Sequence, residues 1–315
     1  MNHLREFPEW IVDSISKNHD KVNPKSRNFF EKLIEIFPDF DRAFLSIPAT
    51  ADIGILHSYD PEEIQRYYGL ERPHEFILLN ISELFHFQAV YQLRELGLSL
   101  LSALAEGRFY VSAITSRAIL EIVCVNYFTF RRVENQFKQC LERLKGIAKT
   151  KSNVEQSRLM REYNEGVYTI FTKLFEANIA SSIDWSKYLD KKFNIQVDVH
   201  DEGKKLQVLT VIEDLEKPSG LPLSETYKLL SEFVHPNAGS KMLVVNTKRP
   251  YHSMMDALTI GDNRANTEAA LFYVDHVAEG MYYGCTLALT FFHRSQKLIG
   301  VLDQMVPGNA AKNLH

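Results

Sequence analysis

The chain has 315 residues, of which 45% are hydrophobic and 24% are charged, and its formal net charge at pH 7 is −4. This composition is typical of a globular protein with a sizeable core, and it excludes a disordered chain, a collagen-like fibre and a small disulfide-stapled domain. The slight acidic excess also excludes a protein that is basic over its whole surface and coats nucleic acid.

The N-terminal stretch, residues 1–74, holds six of the chain's eleven prolines. Because proline starts or ends a helix, short helices are predicted between these prolines, for example over residues 28–37. We interpret residues 1–74 as a helical extension that packs on a bundle formed by residues 75–315.

Long segments with a helical apolar period dominate the rest of the chain. Residues 75–106 contain no proline and a single glycine, Gly97, and predict one long helix. Further helices are predicted over residues 108–137, 153–179 and 266–302. Alternating strand–helix units, GxGxxG and GxxxxGK are all absent from the sequence, which argues against a Rossmann or P-loop enzyme. The predicted fold class is an all-α helical bundle.

Minor β additions are predicted at two places. Residues 193–199 alternate apolar and polar side chains and precede a turn at residues 201–203. Residues 241–246 and 257–260 predict a hairpin around Lys248, Arg249 and Pro250.

Cysteine usage indicates the compartment. Cys124, Cys140 and Cys285 are widely spaced and form no Cys-x-x-Cys unit. This pattern favours neither a zinc cluster nor a disulfide framework and is typical of a reducing cytoplasm. The most apolar run, residues 281–292, is shorter than the roughly twenty residues that a helix needs to cross a bilayer. We therefore expect a cytoplasmic protein without a membrane partner.

The most distinctive motif is YKLLSEFVHPN, residues 227–237. Its first part has helical spacing, and Pro236 disfavours the α conformation at the preceding residue, so the helix is predicted to end at His235. A histidine at a helix end can act as a general acid or base or bind a metal. Alternatively, it interacts with the last carbonyl groups of its helix.

This motif, together with VLTVIEDLEK at residues 208–217 and the PSGLP that follows it, resembles a signature of bacterial α-helical proteins. Those proteins also carry an Arg-x-x-x-Glu unit on an earlier helix, which here is Arg117 with Glu121. They are similar to the HEPN superfamily of helical bundles, whose active members are often metal-independent endoribonucleases in toxins and phage defence. The resemblance implies an intracellular HEPN-like protein that acts on RNA, uses no cofactor and forms a homodimer.

In the HEPN pattern, an arginine precedes the histidine on the same helix. Within the corresponding window of this chain the only cation is Lys228, and lysine lacks the planar fork with which arginine clamps a phosphate. The resemblance therefore implies that Arg117 supplies the guanidinium from the neighbouring helix, while His235 acts as general acid and base. Glu121 would orient Arg117, and Asn237 would position the substrate. The alternative is that these residues form a structural network in a non-catalytic interaction module.

A basic segment, residues 131–161, is a candidate nucleic-acid interface. It contains nine lysines and arginines and three glutamates, although the whole chain is net negative. Such a patch can neutralise phosphates, and Arg143, Lys145 and Lys149 are the predicted contacts. The alternative is a solvated helix end.

Two Glu-x-x-His units leave a metal site open as a further alternative. Two such units and two additional glutamates hold the di-iron site of ferritin-like bundles, because the i,i+3 spacing points both ligands inward. Chance readily produces such pairs in a chain of this length, so the metal site is the less favoured interpretation. Its ligands would be Glu83, His86, Glu121, Glu232, His235 and Glu279.

Overall fold

The computed structural model describes residues 6–50, 60–70, 72–176, 207–234, 245–252, 255–260 and 267–306. Within these ranges the chain forms ten α-helices and one two-stranded hairpin, which confirms the all-α class with a minor β addition. The N-terminal helices are α1 (Glu9–Lys17), α2 (Pro24–Phe40) and α3 (Pro61–Tyr68). A π-helical turn, Asp41–Leu45, follows α2 directly.

Proline begins α2 and α3, as the spacing of prolines suggested. Asn23 precedes α2, and its side chain accepts a hydrogen bond of 2.9 Å from the backbone N–H of Lys25. Asp60 caps α3 in the same way. A capping side chain satisfies a free N–H group, and proline at the first helical position has no N–H to satisfy.

Three long helices follow: α4 (Pro73–Ala105), α5 (Phe109–Lys149) and α6 (Asn153–Glu176). The helix predicted over residues 75–106 is confirmed as α4. Gly107 separates α4 from α5 with a φ of 68°, a conformation that glycine adopts without strain. The helix predicted over residues 108–137 continues to Lys149. No proline lies in residues 138–149, and Gly146 does not interrupt the helix.

The C-terminal helices differ from the prediction at one point. The segment 266–302 was expected to be one helix, but it forms α9 and α10, with Val277 between them. The break is local, because the Val277 N–H still bonds to the Tyr273 carbonyl at 2.8 Å. The helices of this half of the chain are α7 (Val208–Ser219), α8 (Leu223–Val234), α9 (Thr267–His276) and α10 (Ala278–Asp303).

The hairpin pairs β1 (Val245–His252) with β2 (Met255–Ile260) in antiparallel fashion. The turn predicted around residues 248–250 is wrong, because those residues lie inside β1. Pro250 sits where the register is irregular, as expected of a residue that has no N–H to donate to a strand pair. The strand predicted over residues 193–199 lies outside the described residues.

The chain divides into two compact units, one of residues 1–127 and 216–315 and the other of residues 128–215. In the first unit α10 packs against α2, α4 and α8, so helices of the predicted N-terminal extension share a core with the bundle. Gly280 on α10 permits the approach of α8, because a Cβ at this position would lie 2.7 Å from Leu230 Cδ1.

In the second unit α5 and α6 also approach closely. A Cβ on Gly166 would lie 2.6 Å from Cys140 Sγ, and one on Gly146 would lie 3.2 Å from Leu159 Cδ1. Helix α5 is long and apolar enough to span a membrane by length and composition, but half of its apolar window is buried in the protein. A core helix passes the same test, so this feature is weak support for a membrane span.

Candidate functional site

Helices α5 and α8 bring four polar side chains together. Arg117 lies on α5, and its Nη2 donates to the Tyr227 hydroxyl at 2.6 Å while its Nε donates to the Ser231 hydroxyl at 3.1 Å. The guanidinium carbon is 4.9 Å from the centre of the Tyr227 ring, which adds a cation–π contact. We call Arg117, Glu121, Tyr227 and Ser231 the arginine cluster. These contacts join Arg117 to the helix of the histidine motif.

Glu121 completes the arginine cluster from the next turn of α5. One of its carboxylate oxygens lies 3.7 Å from Arg117 Nη2 and accepts a 3.3 Å hydrogen bond from the Tyr227 hydroxyl. The phenol therefore accepts from Arg117 and donates to Glu121. Burial and the negative charge of Glu121 raise the pKa of Tyr227 above its usual value, so the phenol keeps its proton at neutral pH.

The arginine cluster is only partly buried. The side chains of Arg117 and Glu121 are 26% and 30% exposed. Nη1 of Arg117 forms no hydrogen bond with the residues that the structure describes, although the other two guanidinium nitrogens are occupied. The cluster therefore holds the guanidinium in a fixed orientation and leaves one N–H edge for an anion.

The remaining residues predicted for catalysis have different positions. Lys228 lies on α8 beside Tyr227, but it is exposed and is not part of the arginine cluster. His235 and Asn237 lie outside the described residues. In the sequence His235 follows Ser231 by four residues, and Ser231 follows Tyr227 by four. Residues four apart in a helix share a face, so Tyr227 and Ser231 lie on one face of α8.

Sequence reasoning identified Arg117 and Glu121 but missed Tyr227 and Ser231 as their partners. The available signal was the four-residue spacing of Tyr227, Ser231 and His235 within one motif. This spacing predicts which face of α8 is polar. It does not predict that the face meets Arg117, because that depends on how α5 and α8 are aligned.

His86, a ligand in the di-iron alternative, is a buried core residue. Its Nδ1 lies 2.8 Å from the hydroxyl oxygen of Ser295, and the same hydroxyl oxygen lies 2.8 Å from the Phe291 carbonyl oxygen. The imidazole and the hydroxyl thus form one buried hydrogen-bonded pair, in which the donor depends on the tautomer of His86. Burial lowers the pKa of His86 to about 4.

The other described ligands of that alternative are dispersed among different partners. Glu279 accepts a 2.7 Å hydrogen bond from the Tyr283 hydroxyl, and Glu121 belongs to the arginine cluster. Glu83 is half-buried on α4, and Glu232 is exposed on α8. Among the described residues, no three His, Cys, Asp or Glu side chains are grouped so that they could hold a metal ion. The described part of the chain therefore gives the di-iron alternative no support.

The basic segment contains the end of α5 and the first part of α6. Arg143 is committed to packing, because its Nη1 donates to the Glu162 carbonyl at 3.1 Å and its Nε lies 3.3 Å from the Glu162 carboxylate. Lys145 pairs with Glu142 at 2.8 Å on the surface, and Lys149 is exposed. Of the three predicted nucleic-acid contacts, the two lysines are thus accessible and Arg143 links two helices.

Replacing Arg143 by alanine is expected to lower the free energy of unfolding by about 1–3 kcal/mol, because the partly buried Glu162 loses one of its two arginine partners and its carbonyl loses a side-chain donor. Lys145→Ala is the matched control, since its exposed ion pair contributes roughly 0–1 kcal/mol. Urea denaturation monitored by circular dichroism measures both. Equal losses for the two variants would show that Arg143 does not hold α5 to α6.

Comparison with known proteins does not assign the chain to a family. The chain matches no family model, no curated protein and no solved structure. This result neither supports nor contradicts the resemblance to HEPN proteins. The arginine cluster beside the histidine motif is therefore the feature from which a function can be argued.

Proposed function

We propose that the chain is a HEPN-like intracellular protein that binds RNA and cleaves its phosphodiester bonds without a metal ion. One observation supports the proposal above the others. The guanidinium of Arg117 is fixed by Tyr227 and Ser231 of α8, the helix that comes directly before His235 in the sequence. One N–H edge of this guanidinium remains open. A phosphate needs such an oriented fork, and a histidine nearby in the sequence supplies the acid–base group.

The proposed cleavage reaction uses two protein groups, an imidazole and a guanidinium. A base removes the proton from the ribose 2′-hydroxyl, whose oxygen then attacks the adjacent phosphorus. The bond to the 5′-oxygen breaks, and that oxygen must receive a proton. In the proposal His235 moves these protons, and Arg117 stabilises the charge that develops on the phosphoryl oxygens. A homodimer would provide one His235 from each chain.

The other residues have supporting roles in this proposal. Tyr227 stays protonated and links Glu121 to the guanidinium, so Glu121 and Tyr227 orient Arg117. Lys228 adds positive charge at the surface of the same helix, and Asn237 positions the substrate. Since lysine is not part of the arginine cluster, the guanidinium of Arg117 carries the main phosphate interaction.

The test is the cleavage of a fluorescent oligoribonucleotide under single-turnover conditions with a chelator present. His235→Ala is expected to lower the cleavage rate by about 10²–10⁴-fold, the usual contribution of a general acid–base group. Arg117→Lys keeps the charge but loses the fork, and a loss of about 10²–10³-fold is expected. Wild-type cleavage that survives His235→Ala, or that the chelator abolishes, would contradict the proposal.

Matched controls exist on α10. His293 is exposed, and His293→Ala should leave cleavage unchanged. Arg294 resembles Arg117 in its contacts, because it donates to the Tyr127 hydroxyl at 3.0 Å and lies 5.8 Å from that ring. Arg294→Lys therefore removes a similar arginine–tyrosine contact away from the arginine cluster. If Arg117→Lys lowers the cleavage rate and Arg294→Lys does not, the loss reflects catalysis and not a general loss of packing.

A second candidate function, a non-catalytic interaction module, is favoured by one observation. Nε and Nη2 of Arg117 and the hydroxyls of Tyr227 and Ser231 all find partners within the arginine cluster or in α8 itself, as in a purely structural link. Under this proposal the wild type does not cleave RNA, and Arg117→Lys and Arg294→Lys reduce only stability, by similar amounts. The same rate measurement and a thermal melt of each variant distinguish the two proposals.

A further inference from the structure

A surface groove runs along one face of α6 in the second unit. Its volume is about 580 Å³, and its lining includes Ser157, Met160, Arg161, Asn164 and Glu165 from α6 and Ile147 from α5. The α6 positions are spaced i, i+3, i+4, i+7 and i+8, so they form a continuous stripe on the helix. Pockets of about 300–1,000 Å³ are the usual size for a small ligand.

The arginine of the groove differs from Arg143 and Arg158, which belong to the same basic segment and are paired. Arg158, one turn before Glu162, is paired with Glu155 and Glu162, and Arg143 is paired with Glu162. Arg161 is exposed and forms neither an ion pair nor a hydrogen bond with the described residues. The groove therefore holds an accessible guanidinium, whereas Arg143, which the sequence favoured, is paired with Glu162.

The chemistry of the lining is mixed. Arg161 carries a positive charge, Ser157 and Asn164 are exposed hydrogen-bonding side chains, and Met160 and Ile147 are half-buried apolar side chains. Single-stranded RNA presents the matching groups: a phosphate, a ribose hydroxyl with base edges, and an unstacked base face. A duplex hides its base faces, so it would leave the apolar side chains without a partner.

We propose that this groove is a binding site for single-stranded RNA. Arg161 contacts a phosphate, Asn164 and Ser157 bond to a base edge and a ribose hydroxyl, and Met160 with Ile147 supports the face of a base. The carboxylate of Glu165 repels phosphate, so the backbone passes on the Arg161 side. The inference rests on the proposed function for the choice of RNA, but it concerns binding and needs no cleavage.

The experiment compares two variants of one helix. Arg161→Ala and Arg158→Ala each remove one positive charge from an exposed position of α6, but only Arg161 lines the groove. Fluorescence anisotropy of a labelled single-stranded oligoribonucleotide is measured over a range of salt in the full chain, with His235→Ala present in every sample to prevent cleavage. Arg161→Ala is expected to raise Kd several-fold and to reduce the slope of log Kd against log salt by about one. Arg158→Ala should leave both quantities near those of the parent.

A second substitution tests the hydrogen-bonding part of the groove. Asn164→Ala should raise Kd without changing the salt slope, since no charge is removed. Equal effects of Arg161→Ala and Arg158→Ala would overturn the site in favour of diffuse attraction. Equal affinity for the matching deoxyribonucleotide would overturn the assignment to RNA.

The two proposals fail in different ways. RNA binding that depends on Arg161, in a wild type that does not cleave, supports the groove and overturns the proposed nuclease. RNA cleavage with binding that is insensitive to Arg161→Ala overturns the groove alone. A wild type without RNA affinity overturns both.

Discussion

Replacing Phe44 by alanine is expected to lower the free energy of unfolding by about 3–5 kcal/mol, the range for a buried phenylalanine whose cavity is only partly refilled. Phe44 has no exposed surface. Its ring centre lies 4.9 Å from that of Phe40 and 5.3 Å from that of Phe292 on α10. Loss of this ring removes contacts within the N-terminal helices and between them and the bundle. Urea denaturation followed by circular dichroism measures the loss.

Tyr67→Ala serves as the aromatic control. The Tyr67 side chain is 87% exposed, so its removal should change stability by no more than about 0.5 kcal/mol. Phe44→Leu should fall between the two variants, because leucine refills part of the space. If Phe44→Ala were as mild as Tyr67→Ala, the packing of residues 41–45 against α10 would be wrong.

Acid is expected to destabilise the first unit through His86. The folded-state pKa of His86 is lowered from 6.5 to about 4, so on acidification the unfolded chain binds a proton first. The contribution of neutral His86 is therefore complete above pH 6.5 and is lost progressively as the pH falls to about 4. The loss amounts to about 3 kcal/mol at most. His74 and His276, whose pKa values burial also lowers, act with the same sign.

A variant isolates the contribution of His86. His86→Asn does not titrate, and its amide can still hydrogen-bond with Ser295, so the variant should be less stable at pH 7 but should lose less stability between pH 6.5 and 4. His19, whose side chain is 58% exposed, provides the control His19→Asn, which should retain the full acid dependence. Urea midpoints at closely spaced pH values give the comparison. An unchanged acid dependence in His86→Asn would mean that His86 is not the buried neutral group.

Features that depend on residues within one helix are visible in the sequence. The length of α4 could be predicted because its apolar period is uninterrupted by proline, and the Arg117–Glu121 pair because its spacing lies within one helix. The break at Val277 had no such signal, since neither proline nor glycine marks it. The hairpin turn was misplaced because Pro250 is a turn residue by composition, whereas in the fold it occupies an irregular register position in β1.

In the candidate site, contacts between residues that are distant in the sequence could not be predicted. The spacing of Tyr227 and Ser231 defines a polar face on α8, but their contacts with Arg117 join residues more than a hundred positions apart. Such contacts depend on how α5 and α8 are aligned, which no short motif encodes. The sequence shows that Arg143 is charged, but only the fold shows that this charge is paired with Glu162.

The absent side chain of Gly280 has a consequence for how this protein can evolve. Helix α8 rests directly on the backbone of α10 at this position, and Leu230, which the glycine accommodates, is next to Ser231 in the sequence. A larger residue at position 280 would have to displace the side chains of Leu230 and Thr226, which lie 2.7 Å and 3.2 Å from a Cβ there and are next to Ser231 and Tyr227 in the sequence. Mutational tolerance at Gly280 is thus limited by residues of α8 that adjoin the arginine cluster in the sequence. Natural variants that exchange this glycine should also carry a smaller residue at position 230.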